Sequence, residues 1–225
     1  MKKHLLTVVG FAVLSLMVIV LYVLTTIGGW QHHPALGIVM ILPTAAVMAA
    51  LVREVRTLMR DRSPPPLDVS ALLNGAGVIG GAWVTYLLSV ELELGPVTAS
   101  ALVGLLGGLV LPAEGAAIYC GSFAGMSSAV LLAGDVEMLV AGAIAAVVYV
   151  LGSRTLTGFG GKLGTTAFAG TVATCVGLRR VFAPAPVPPP DLAWPIILSA
   201  IAAALLTQWL SVTLKHGAVI ASSVV

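Results

Sequence analysis

Apolar stretches that read as membrane crossings alternate along this chain with short polar, proline-marked or glycine-marked breaks. The first covers residues 5–27, behind Lys2 and Lys3. Its 23 residues exceed the roughly 7–15 residue apolar core of a signal peptide, and Ile27-Gly28-Gly29-Trp30 lacks a small-x-small cleavage pattern. The pattern predicts a retained first helix with a cytoplasmic N-terminus. A second stretch, 35–52, passes into Arg53, Glu54, Arg56, Arg60, Asp61 and Arg62 and then meets Pro64-Pro65-Pro66. Arg53, Arg56 and Arg60 share one helix face. The helix should therefore run on into a cytoplasmic basic and proline-containing loop, 53–68, until the prolines stop it. Further crossings are predicted over 69–90, 97–111, 116–133, 138–151, 155–178 and 192–214. A proline-rich external linker, 181–191, precedes the last of them. The expected fold is all-α: one integral membrane domain over 1–225, a polytopic transmembrane bundle of about eight spans.

Composition sharpens the class. Apolar residues make up 59% of the chain and charged residues 9%, with a mean hydropathy of +1.08, whereas soluble domains carry roughly 25% charged residues. With about 20 residues per crossing, no length remains for a separate water-soluble catalytic domain. A net charge of +2, with no basic run interleaved with aromatics, excludes nucleic acid as a partner. With the N-terminus inside, Lys2, Lys3, Arg53, Arg56, Arg60, Arg62, Arg154 and Lys215 all fall on the cytoplasmic side, as the positive-inside rule requires. The acidic turns Glu91/Glu93 and Asp135/Glu137 fall outside, as do Trp30 and Trp194. Arg179 and Arg180 are discordant, because they also fall outside unless 155–178 is re-entrant.

The middle of the chain reads as a parallel two-helix internal repeat. Residues 91–131 run from Glu91-x-Glu93 through an apolar helix to Gly121-x-x-x-Gly125-Met126-Ser127. Residues 135–175 run from Asp135-x-Glu137 to Gly160-x-x-x-Gly164-Thr165-Thr166. GxxxG in an apolar helix first means close packing of backbones. The adjoining hydroxyls add a second reading, a polar path where glycine-thinned helices break. Interior glycines cost about 1 kcal/mol each in a helix, so Gly158 to Gly164 invites such a break.

Lys162 is the one charge placed within a predicted span, about 10 Å from its start at 1.5 Å per residue, and an intramembrane charge defaults to a functional role. Glu114 and Arg154 sit at the adjoining breaks. Glu114 is expected to approach Arg154 or to reach Lys162. The expected substrate or pathway residues are thus Gly121, Gly125, Ser127, Gly160, Lys162, Gly164, Thr165 and Thr166. Asn74, Thr85 and Gln208 are expected to act as interhelical hydrogen-bonding groups.

Cys120 and Cys175 fall toward opposite ends of their spans, too far apart for a disulfide. The adjacent His32-His33 pair diverges in direction, which argues against a metal site, and no cofactor is called for. No Ser-His, paired-Asp or HExxH arrangement lies in a span, so an enzyme is not expected. What remains is a small transporter or channel in the cell membrane. The alternative is a non-catalytic subunit or scaffold of a larger membrane complex. Membrane lipids are the expected partners, with self-association or a larger assembly.

Overall fold

The computed structural model describes residues 2–32, 34–60, 64–180, 190–215 and 217–225, all of it helix, turn or coil. The helices are α1 (Lys2–His32), α2 (Pro34–Arg60), α3 (Val69–Tyr86), α4 (Pro96–Val110), α5 (Gly115–Gly125), α6 (Asp135–Leu151), α7 (Lys162–Gly177), α8 (Pro190–Leu214) and α9 (Gly217–Val224). A π-helical stretch, Leu87–Glu91, prolongs α3. Three of these helical stretches are long and apolar enough to cross a membrane: His4–Gly28, Val69–Glu91 and Pro195–Thr213. The linker 181–189, His33 and the side chains of His32 and Trp194 lie outside the described residues.

Local chemistry sets most boundaries. The α2 helix does run past Val52 to Arg60. Asp68 caps α3, its carboxylate accepting from the Ala71 N–H at 3.0 Å and the Ser70 hydroxyl at 2.7 Å. Gly95, with φ +76, turns the chain so that Pro96 can open α4.

The central element is α3, packed between α5 and α6. Its seam with α5 is an interlock of backbones. A Cβ on Gly81 would meet the Ile118 carbonyl oxygen, and a Cβ on Gly121 would meet that of Val78. At the far end of α5, Gly125 lies against Ala82 O and the Thr85 side chain. Only glycine permits such approach. The α7 helix closes on α6 in the same manner through Gly170, which faces Ala141 O. The α1–α2 hairpin docks on α6 and α7 where Gly10 meets Leu151 and Gly152. Leu14, Leu51, Val148, Leu156 and Ala169 form the core of that contact. The α8 helix makes its main contact with α9, and α9 returns to pack on α4.

Three expectations need correction. The fifth apolar run does not stay helical to Ala133, because α5 stops at Gly125 and residues 126–134 form turns. Hydropathy reports the apolar character of that stretch and says nothing of its backbone, and of these residues only Leu132 is buried. The seventh run becomes regular helix only at Lys162, with residues 152–161 in turns and Gly158 and Gly161 at positive φ. Lys162 thus opens a helix instead of lying part-way along one. The short α9 had no counterpart in the pattern, because it follows α8 after only a break at Lys215 and Gly217.

The two glycine elements occupy unlike settings. Gly121 and Gly125 lie within α5, whereas Gly160 precedes α7 and Gly164 falls in its first turn.

Candidate functional site

The residues at issue fall into two clusters, one toward each end of the α5–α7 seam. The first is built by the turn 152–161 between α6 and α7. Lys162 is half-buried there, and its ammonium donates to the Ser153 carbonyl at 3.3 Å. The acid that faces this turn comes from α2. Glu54 Oε1 accepts the Leu156 N–H at 2.7 Å, and Glu54 is also the carboxylate that interacts electrostatically with Lys162. Leu156 sits in the left-handed region, φ +52, with its side chain buried against α1 and α2. That conformation is unfavourable for a branched side chain. Burial of the side chain and the charge-assisted bond from Glu54 hold it. Cys120 of α5 reaches the same corner, its thiol donating to Leu163 O at 3.3 Å.

The expected charge partners do not meet. Glu114 and Arg154 lie at the same end as Lys162, but among the described residues the one ion pair joins Arg180 to Glu137. Glu114 ends α4–α5 turn geometry as the residue before α5, with no side-chain capping bond. Arg154 is exposed. The acid bound into the Lys162 turn is Glu54, through the Leu156 N–H and with no ion pair to Lys162. No local spacing in the sequence points from Glu54 to this turn, 102 residues away.

The second cluster surrounds the end of α5. Ser127 Oγ lies 3.1 Å from Thr171 Oγ1 of α7, and Thr171 also bonds to Ala167 O. Thr85 of α3 packs against Gly125, and its hydroxyl is fully buried with no hydrogen-bond partner. Tyr86 reaches across to the Leu132 carbonyl at 3.2 Å, tying the turn 126–134 into the bundle. Ser127 is therefore the one predicted hydroxyl that reaches another helix. Thr165 and Thr166 instead bond back to Gly161 O at 3.1 Å and Lys162 O at 2.8 Å, spending their hydroxyls on their own helix. Gly160 and Gly164 face open space, with nothing within 4 Å of an added Cβ. Gly121 and Gly125 serve the seam with α3 and are buried. Thr171 went unpredicted, although a threonine in an apolar helix was the available signal.

Beyond the first turn of α6, Glu137 accepts from the Ala133 N–H at 2.8 Å and from Arg180 at 2.7 Å. These bonds hold its carboxyl below the usual carboxylate range, the Ala133 N–H contributing most. The pair also puts the end of α7 beside the start of α6, so α7 runs back along α6 and Arg180 shares an end with the acidic turn.

Cys120 and Cys175 are free and buried. No group of three or more His, Cys, Asp or Glu side chains gathers among the described residues to hold a metal. No protein-family model, curated protein or solved structure matches the chain.

Proposed function

We propose that the chain is a small integral membrane transporter or channel of about eight crossings. Its pathway follows the α5–α7 seam between the two irregular turns. The observation that carries this reading is the length of α5. Its 11 residues extend about 16 Å at 1.5 Å per residue, roughly half of a ~30 Å hydrocarbon core. Its continuation is non-helical. Irregular backbone at membrane depth is tolerated where protein covers it or where it lines a cavity, and interrupted helices are the usual place for a substrate or ion in transporters. Here the interruption is flanked by the hydroxyls of Ser127, Thr171 and Thr85. The opposite interruption, before α7, presents Lys162, whose charge favours an anionic group at that mouth.

Thiol labelling tests it. In a Cys120→Ala, Cys175→Ala background, Ser127→Cys should react with a membrane-impermeant methanethiosulfonate cation in sealed vesicles. Leu198→Cys on exposed α8 should not. Equal silence at both positions overturns the pathway. It would then favour the second reading, a non-catalytic membrane subunit, for which the uncovered apolar surface of Pro195–Thr213 is the specific support.

A further inference from the structure

A groove runs along the outside of α3, α4 and α5, on the face of α5 away from α7. Its volume is about 750 Å3, within the roughly 300–1,000 Å3 typical of small-molecule sites. The walls are apolar: Leu73, Gly80 and Val84 from α3, Leu106 from α4 and Ile118 from α5. One ionisable side chain lines it, Glu114, at the end where α4 turns into α5. Glu114 is half-buried and makes no capping bond, and it has no ion-pair partner among the described residues.

A second groove, of about 910 Å3, lies between α3 and α6 and also carries an acid, Asp68. The comparison is informative. Asp68 is spent on capping α3, with Ser70 and Ala71 as its partners. Glu114 has nothing equivalent, so its negative charge faces the recess uncompensated. A half-desolvated carboxylate gains most from an opposite charge. The surrounding wall, however, offers a small hydrated cation no ligands to replace its water. A cation whose charge is spread over apolar substituents satisfies both the acid and the wall.

We propose that this groove binds a lipophilic organic cation, with Glu114 as its counter-ion. The site is separate from the α5–α7 seam and stands whether or not that seam is a pathway.

Gly80 supplies a clean test, because an added Cβ there meets nothing within 4 Å. Gly80→Leu should fill the groove without disturbing α3, because replacing an interior glycine favours the helix. The full chain in phosphatidylcholine nanodiscs is titrated with tetraphenylphosphonium, and with tetraphenylborate as a probe of the same shape and opposite charge. We expect saturable binding of the phosphonium alone. Glu114→Gln and Gly80→Leu should each weaken it about tenfold or more, with helical content unchanged, while Asp68→Asn leaves it intact. Three results overturn the proposal: undiminished binding to Glu114→Gln, undiminished binding to Gly80→Leu, or equal affinity for tetraphenylborate.

Discussion

The Glu54 carboxylate and the Leu156 backbone N–H, 102 residues apart in sequence, meet at 2.7 Å. This bond fastens the turn between α6 and α7 to the end of α2. It acts where the backbone is least willing, since Leu156 holds φ +52. Removing the acceptor should therefore loosen one turn and leave the bundle standing. We predict that Glu54→Ala costs about 1.5–3 kcal/mol, the range for hydrogen bonds to charged groups. Amide hydrogen exchange should accelerate over 152–161 and stay unchanged in α3. Uniform acceleration across the chain would refute a local tether.

The glycines separate by role. Gly121→Ala would drive a methyl into the Val78 carbonyl, and overpacking of this kind costs about 1–3 kcal/mol. Gly164→Ala meets open space within α7 and should be neutral, or stabilising by up to about 1 kcal/mol. Thermal unfolding of the two variants in one detergent decides the matter. Equal losses would mean that both glycines close a helix seam.

Acid should weaken the Glu137–Arg180 end. The folded carboxyl of Glu137 lies below its unfolded value, near 4.3 for a free glutamate. Its contribution is thus fully present above that value and lost as pH falls through the lowered one. Wild type and Glu137→Gln should differ in Tm at pH 7 and converge toward pH 3. Added salt should narrow the gap at pH 7, because both side chains are partly exposed. A gap that persists at pH 3 would assign the difference to something other than this charge.

Ser127 and Thr171 should be coupled, but weakly. Interhelical hydrogen bonds in membrane proteins average about 0.6 kcal/mol and rarely exceed about 1.7. A double-mutant cycle with Ser127→Ala and Thr171→Val should return a value in that range. A coupling of zero would mean that the 3.1 Å approach carries no stability.

Much of this architecture is legible in the order of residues. The apolar runs at 69–90 and 97–111 announce α3 and α4, and the arginine face after Val52 announces the extension of α2. What escapes is backbone state inside apolar sequence. Residues 126–134 are apolar enough for a helix, yet Gly125 is fixed by its seam with α3, and Tyr86 draws Leu132 inward through its carbonyl. Hydropathy measures transfer from water and is blind to both contacts. The acid that binds the Lys162 turn escaped for another reason. Local spacing ranks neighbours such as Arg154 and Glu114, whereas Glu54 is brought by the docking of the α1–α2 hairpin, a tertiary event with no local trace.

The interlock of Gly81 with Ile118 and of Gly121 with Val78 bears on motion. Two backbones in direct contact leave no side chains to slide or rotate past one another. The α3 and α5 helices must therefore move as one rigid body, and α4, joined to α5 by a short turn, is carried with them. The α5–α7 boundary is of another kind, because hydroxyls and turns meet there and short polar contacts can be exchanged at small cost.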